Sequence, residues 1–372
     1  MQKYFIIAGE PSGDLHGSHL MKEMTSMNSN ISFKGIGGPL MSRCGLNSIA
    51  SINDMAVMGF WEVIKKFPFL KSVEKKVLDM VDESFVSIIL IDYPGFNLHI
   101  AKKIKKRFPN INIVFYISPQ IWAWKEKRIE TIKKYVDKMI VIFDFEKTWY
   151  KERCVDALFV GHPFVDYYAK KDIKKDAFTK LGLDRQKKYL TLFPGSRVQE
   201  IRNHLPVMLQ ALKNDFFKDF EVLIGQAHGL DFDLEKRFNL EKVTVVKDFP
   251  ELTLAAADFA WVGSGTSSLE SVIFNTPFVL VYKTSPLSWY FMKKYVKVNY
   301  AGMPNIILDR PLVPELLQEN LTSVNLIYET KEILSNKNKQ QSLVDGYAAI
   351  KQKLGPTGVS RRVANYILHG KD

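Results

Sequence analysis

Nowhere does this sequence hold an uninterrupted apolar run of the roughly 18 residues that a bilayer-spanning helix needs. Any membrane contact is therefore expected to be peripheral. The opening stretch, Tyr4-Phe5-Ile6-Ile7-Ala8-Gly9, carries no basic n-region, no long apolar run and no small-residue cleavage site of a signal peptide, so a cytoplasmic protein is expected. Cysteine is scarce. The 2 present, Cys44 and Cys154, have no metal-ligand spacing and no partner framework, and they read as reduced structural thiols. Both standard phosphate fingerprints are also missing from the glycine-rich stretch near the N-terminus. No Gly-Lys-Ser/Thr ends it, and Gly9, Gly13 and Gly17 do not fall into G-x-G-x-x-G. No solenoid period or low-complexity tract interrupts the chain.

What is present is a chain of 372 residues, long for one core and suited to two domains. Its 46% apolar and 25% charged residues are those of a soluble globular protein. The formal net charge of +12 points to anionic partners, whether nucleic acid, anionic lipid or a phosphorylated substrate. Charge alone does not choose among them. In Lys102-Lys103-Ile104-Lys105-Lys106-Arg107 the apolar residues Ile100, Ile104 and Phe108 recur at i, i+4, i+8, so these lysines form the solvated face of a core-packed helix.

Apolar runs of strand length alternate with amphipathic segments throughout. In the first half they are 4–8, 31–36, 86–91, 112–117 and 139–143; in the second, 189–193, 220–224, 243–246, 259–262 and 278–281. They are unbroken rather than alternating, which predicts parallel strands buried on both faces. The fold class is α/β, with two Rossmann-like domains. The polar stretch from Asp166 to Asp176, after Gly161-His162-Pro163, is the best linker. The predicted division is 1–168, 169–345 and a C-terminal helical segment 346–372 that could return to the first domain. Such a pair of sheets would face a central cleft at the carboxyl ends of their strands, where doubly wound folds bind ligands.

Four strings sit at strand-to-helix junctions. Gly9-Glu10-Pro11-Ser12-Gly13-Asp14-Leu15-His16-Gly17 follows the first strand, where glycines allow close backbone approach and a helix start offers unpaired amides. Pro194-Gly195-Ser196-Arg197 places a hydroxyl and a guanidinium fork at another helix start, a combination suited to phosphate oxygens. Val262-Gly263-Ser264-Gly265-Thr266-Ser267-Ser268-Leu269-Glu270 supplies hydroxyls and amides able to wrap a diphosphate without a metal ion, and Glu270, one turn beyond Thr266, could accept both ribose hydroxyls. In Ile91-Asp92-Tyr93-Pro94-Gly95-Phe96-Asn97 a carboxylate ends a buried strand, held out of the ladder by the turn, where it could take a proton from an attacking hydroxyl. His16 is the rival base.

The string around Gly9 to Asp14 resembles the opening of the bacterial lipid-A-disaccharide synthases. Pro194-Gly195-Ser196-Arg197, Gly-Thr-x-x-Leu-Glu ending at Glu270, Ser118-Pro119-Gln120-Ile121-Trp122-Ala123-Trp124, Val160-Gly161-His162-Pro163 and Met303-Pro304-Asn305 match the same family, with Gln120 where a serine is common. These matches span most of the chain. The resemblance implies the GT-B architecture and an inverting transfer of 2,3-diacylglucosamine from UDP to the 6-hydroxyl of 2,3-diacylglucosamine 1-phosphate, giving the β-1,6 disaccharide and UDP. It assigns Gly195, Ser196, Arg197, Ser264, Gly265, Thr266, Ser267, Glu270 and Asn305 to the donor, with Arg197 also acting on the leaving diphosphate. Asp92 becomes the candidate base, and Glu10, Ser12, Gly13, Asp14 and Asn97 line the acceptor half. UDP-2,3-diacylglucosamine is a substrate, so no cofactor and no metal are expected.

A separate segment, Ala56 to Leu70, carries more large apolar residues than one buried face needs and is edged by lysines. Phe60, Trp61 and Phe69 with Lys65 and Lys66 have the form of an interfacial anchor on the anionic inner-membrane surface. A UDP-N-acetylglucosamine 2-epimerase or the peptidoglycan glucosaminyltransferase is the nearest enzyme alternative, and an epimerase has no use for such a surface. A nucleic-acid-binding protein would need a stacking platform or a known motif, and neither is found. The oligomeric state is left open, a homodimer included.

Overall fold

Short runs of Ile, Val, Leu and Phe, sheltered from water on both faces, build two separate parallel sheets. The computed structural model describes residues 1–55, 60–169, 172–227, 230 and 232–370, side chains of 53, 54 and 60–66 aside. In the first sheet, β1 (Gln2–Ala8), β2 (Ile31–Gly37), β3 (Leu46–Ser51), β4 (Phe85–Ile91), β5 (Asn112–Tyr116), β6 (Lys138–Val141) and β7 (Ala157–Phe159) lie in the order β3-β2-β1-β4-β5-β6-β7. The second holds β8 (Lys188–Phe193), β9 (Phe220–Gly225), β10 (Val243–Val246), β11 (Phe259–Gly263), β12 (Phe278–Tyr282) and β13 (Glu315–Leu317) in the order β10-β9-β8-β11-β12-β13. Every pairing is parallel.

The central strands account for the cores. Phe5, Ile6 and Ile7 of β1, Ile88 to Ile91 of β4 and Phe259 to Val262 of β11 have no solvent-accessible surface. Each such Ile, Val or Phe contributes about 1.5 to 3 kcal/mol by leaving water. In both sheets the strand order reverses direction beside the first strand, at β1/β4 and at β8/β11. Doubly wound sheets bind ligands at the carboxyl ends of strands around that point.

The chain divides into two compact units, Met1–Asp166 with Leu354–Asp372, and Tyr167–Lys353. Particular contacts set these boundaries, two residues before 168 and eight after 345. Tyr168 bonds to Glu270, and Tyr347 Oη donates to the Thr276 carbonyl at 3.1 Å, so both tyrosines belong to the second unit. In the first unit, Asp166 caps the helix Val359–His369 by accepting from the amides of Gly358 at 2.6 Å and Ser360 at 3.3 Å. The Arg362 guanidinium donates to the Val160 carbonyl at the end of β7, and the 359–369 helix packs on the helix Pro11–Met27.

Cys154 differs from its expected structural role. It is exposed, at a left-handed φ of 58°, whereas Cys44 is half-buried.

Candidate active site

In the first unit β1 delivers the chain into the helix Pro11–Met27. Gly13 packs its backbone so closely on β1 that a Cβ there would meet Ala8 Cβ at 3.1 Å. Glu10 and Ser12 are exposed at this turn. Asp14, expected among the acceptor residues, has a structural role instead. It is 2% exposed, and its carboxylate accepts from the amides of Gly38, Leu40 and Met41 at 2.8, 3.0 and 2.9 Å, capping the helix Pro39–Arg43.

Next to β1, β4 ends at Ile91, and Asp92 and Tyr93 follow at left-handed φ values of 45° and 47°. That costly backbone is held from three sides. Asp92 N–H donates to the Tyr116 carbonyl at 3.0 Å, and Asn97 Nδ2 donates to the carbonyls of Ile91 at 3.2 Å and Asp92 at 2.7 Å. Asn97 is fully buried beneath the turn, so it positions Asp92 rather than meeting an acceptor. Strain held by surrounding bonds at a strand end is characteristic of functional sites. Burial, with the Glu10 carboxylate nearby, pushes the Asp92 carboxyl up to about 7, against the opposing Tyr93 amide.

His16 stands one turn into the 11–27 helix, its ring edge-on to Tyr116 at 6.5 Å. Burial, then the proximity of His19, pushes its pKa down to about 3. It is neutral at ordinary pH and a much weaker proton acceptor than Asp92. His162 is buried and likewise pushed down to about 3; its ring accepts from Phe164 N–H at 3.2 Å, which fixes a turn.

A buried carboxylate not singled out from the sequence, Glu146, organises the 118–124 string. Its Oε1 accepts from Ser118 Oγ at 2.7 Å and Trp122 Nε1 at 2.9 Å, and its Oε2 from the amides of Ile142 and Phe143 at 3.3 and 3.1 Å. The signal was present as a glutamate at the third position of a helix after strand β6.

In the second unit two glycine turns lie against each other at the ends of β8 and β11. A Cβ on Gly263 would stand 3.2 Å from Gly195 Cα. The first turn leads through Ser196 and Arg197 into the helix Val198–Ala211, but its leading amides are occupied. Glu200 Oε2 accepts from Ser196 N–H at 3.0 Å and Arg197 N–H at 3.3 Å, a local glutamate cap where unpaired donors were expected. The Arg197 side chain remains 65% exposed, with Nη1 3.6 Å from Glu200 Oε1.

The second turn feeds the helix Thr266–Ile273. Gly265 sits at φ 154° and ψ −160°, a conformation open essentially to glycine alone. Thr266 is exposed at the helix start and Ser267 half-buried. Ser264 Oγ donates to the Ala301 carbonyl at 2.8 Å, so that hydroxyl braces the turn. Glu270 Oε1 accepts from Tyr168 Oη at 2.6 Å, and burial pushes its carboxyl up to about 7.

Asn305 corrects its expected place at the donor. It is 1% exposed; its Nδ2 donates to the Val313 carbonyl and Glu315 Oε1, and its Oδ1 accepts from the amides of Leu312 and Val313, all at 2.8 or 2.9 Å. Both amide donors and both acceptor lone pairs are used within the fold, leaving nothing for a ligand.

His204 was missed altogether. Buried in the 198–211 helix, it accepts at Nε2 from Lys283 N–H at 2.8 Å, which requires Nδ1 to be the nitrogen donating to the Pro194 carbonyl at 2.6 Å. A lone histidine among apolar residues gives no sequence signal of such a bridge.

Of the anchor residues, the side chains of Phe60, Trp61, Lys65 and Lys66 lie outside the described residues. Phe69 is half-buried against the first unit's core, while Phe67 on the same helix, Phe60–Met80, is 55% exposed. Among the described residues no helix is long and apolar enough to cross a membrane, and no group of three or more His, Cys, Asp or Glu side chains is placed to hold a metal ion. The string Asp231-Phe232-Asp233 does not change this: Asp233 caps the helix Leu234–Arg237, and residue 231 is not among those described.

A family model described as lipid-A-disaccharide synthetase matches residues 4–366. The lipid-A-disaccharide synthase of Coxiella burnetii is 34% identical over 365 residues, 97% of this chain and 96% of that protein. Among solved structures, the UDP-GlcNAc 2-epimerase from Neisseria meningitidis bound to UDP-GlcNAc superposes with a TM-score of 0.69 at 11% identity, over 99% of this chain and 100% of that one. The calicheamicin glycosyltransferase CalG4 gives a TM-score of 0.61 at 13% identity, over 100% of both chains. At such identities the two structures speak for the fold.

Proposed function

Because this chain belongs to the lipid-A-disaccharide synthetase family, we propose that its two switch points carry an inverting, metal-independent glycosyl transfer, with Asp92 as the base. The chain is a glycosyltransferase of lipid A biosynthesis with the GT-B fold. Its donor is UDP-2,3-diacylglucosamine and its acceptor 2,3-diacylglucosamine 1-phosphate. The acceptor 6-hydroxyl oxygen attacks the anomeric carbon, the bond from that carbon to the diphosphate breaks, and UDP departs with the electron pair.

The observation that carries this reading is the state of Asp92. At the end of β4, held on a left-handed turn and shifted up to about 7, its carboxylate has a proton affinity suited to a base working near neutrality. His16, at about 3, does not. In the second unit the exposed Arg197 fork offsets charge on the departing diphosphate, and Gly265, Thr266 and Ser267 at a helix start supply further donors. A divalent ion is not needed where a guanidinium and helix amides take that role. The acylated substrates place the enzyme on the anionic cytoplasmic face of the inner membrane. The family match, which an epimerase would not give, favours this reading over UDP-sugar epimerisation.

Incubating the purified protein with both diacylated substrates tests the proposal. Release of UDP together with a β-1,6 disaccharide is expected; release of UDP without disaccharide would overturn it.

A further inference from the structure

The second unit carries a helix turned inside out. None of the 10 residues of Pro286–Tyr295 is buried. By contrast, the 359–369 helix buries Val359, Val363, Ala364 and Ile367 in the ordinary amphipathic manner. On Pro286–Tyr295 the apolar stripe faces outward, with Leu287 68%, Tyr290 62%, Phe291 48% and Tyr295 56% exposed. Their spacing, i, i+3, i+4, i+8, puts them on one face, where Phe291 and Tyr295 stack with their planes 11° apart. The inner side, Trp289 and Met292, is only half-buried.

Charge selects the occupant. From Glu270 to Asp309 the chain holds Lys283, Lys293, Lys294 and Lys297 and no acidic residue between those two carboxylates. Lys293 and Lys294 lie over the rings of Trp289 and Tyr295, at 5.3 and 5.6 Å from their centroids. A short helix that offers Leu, Phe and Tyr outward and whose charged sequence neighbours are all lysines matches the boundary between acyl chains and anionic headgroups.

We propose that Pro286–Tyr295 is an interfacial helix that seats the second unit on an anionic lipid bilayer, Leu287, Tyr290, Phe291 and Tyr295 entering the headgroup boundary and Lys293 and Lys294 meeting lipid phosphates. The inference rests on the acylated-donor reading above. The chain leading into the helix is tied to the Pro194 turn. Lys283, between β12 and the helix, donates its N–H to His204 and accepts at its carbonyl from Asn203 Nδ2 at 3.0 Å, and His204 in turn donates to the Pro194 carbonyl. A donor whose acyl chains stay in the membrane would thus meet its diphosphate site beside the surface that docks the unit.

The test uses the full chain and vesicles of phosphatidylcholine with or without phosphatidylglycerol. Replacing Leu287, Tyr290, Phe291 and Tyr295 by serine is expected to lower partitioning onto the mixed vesicles at least about tenfold. Lys293→Gln with Lys294→Gln should remove most of the dependence on phosphatidylglycerol and on salt. Vesicle binding equal to wild type in the folded serine variant would overturn the proposal. So would a wild-type dimer that the serine variant converts to monomer, since the face would then join two copies. If the serine variant loses its melting transition, the lysine variant decides, and unchanged phosphatidylglycerol dependence overturns the proposal. Disaccharide formation from detergent-dispersed substrates separates the two readings. The serine variant should match wild type there, whereas a wild type inactive in detergent and on vesicles alike would sink the catalytic reading and leave vesicle partitioning to judge the helix.

Discussion

Tyr168 Oη donates a hydrogen bond of 2.6 Å to Glu270 Oε1, so the carboxylate expected to receive a ribose is already partnered. Burial raises both groups, the phenol above its ordinary value and the Glu270 carboxyl to about 7, with the Glu251 charge adding to each. A nucleotide that uses Glu270 must displace or share this phenol. Tyr168→Phe is therefore expected to tighten UDP binding about fivefold, the equivalent of one net hydrogen bond of about 1 kcal/mol, and to lower the melting temperature slightly. Calorimetric titration with UDP checks it; a weakened affinity would make Tyr168 part of the nucleotide's own cradle.

Asp92→Asn should reduce turnover by roughly two to four orders of magnitude while leaving UDP affinity nearly unchanged, since the amide keeps the shape and loses the proton acceptance. In wild type, kcat/KM should rise with pH through about 7 as the carboxyl ionises. Glu146, pushed up to about 7 by burial, titrates in the same range and can shift the apparent midpoint. The sign for stability is the reverse of that for activity. A folded-state value near 7 lies above the ordinary aspartate value near 4, so Asp92 favours the fold below about pH 4 and that contribution is lost as pH rises through 7. Above pH 7 the asparagine variant should melt higher than wild type, and an unchanged acid limb in its residual rate would shift the assignment to another group.

For Arg197→Ala the expected loss in kcat/KM is about 2 to 4 kcal/mol, the range seen when a charge-stabilising donor is removed. The side chain is 65% exposed, so the melting temperature should barely move. Steady-state kinetics beside a thermal melt distinguish this from a folding defect.

Asn305→Ala acts on stability instead. Four internal hydrogen bonds disappear and leave the amides of Leu312 and Val313 without their acceptor, a loss of about 2 to 4 kcal/mol. The fraction that remains folded should bind UDP as wild type does. A stable variant with weakened UDP binding would return Asn305 to the donor site.

Chelation should leave no lasting effect on the rate if, as proposed, Arg197 and the donors at the 266–273 helix start serve the diphosphate. Activity abolished by EDTA and restored by magnesium would require a metal in the mechanism.

The apolar runs determined much by themselves. Short apolar stretches such as 86–91 and 259–262 read as buried strands, and they appear as β4 and β11 within a residue. The glycine turns after β1, β8 and β11 were equally legible, since their spacing marks strand-to-helix junctions. The edges were not. β3 reads Leu-Asn-Ser-Ile-Ala-Ser with only Leu46 buried, too polar to stand out, and β7 (Ala-Leu-Phe) and β13 (Glu-Leu-Leu) have three residues each, too short for periodicity to separate from loop. The candidate site divides in the same way. That an aspartate ends β4 follows from sequence order, but its raised proton affinity depends on what the fold packs around it. Whether a polar side chain is open to a ligand was likewise decided by tertiary structure. Asp14, Asn97 and Asn305 read in sequence like Ser12 or Arg197, yet Asp14 is taken up by the amides of Gly38, Leu40 and Met41, Asn97 Nδ2 by the carbonyls of Ile91 and Asp92, and Asn305 by the 312–315 segment. For the 286–295 helix, the composition is visible in the sequence; which way its apolar stripe faces is decided by how the fold packs Trp289 and Met292 inward and leaves Leu287, Tyr290, Phe291 and Tyr295 exposed.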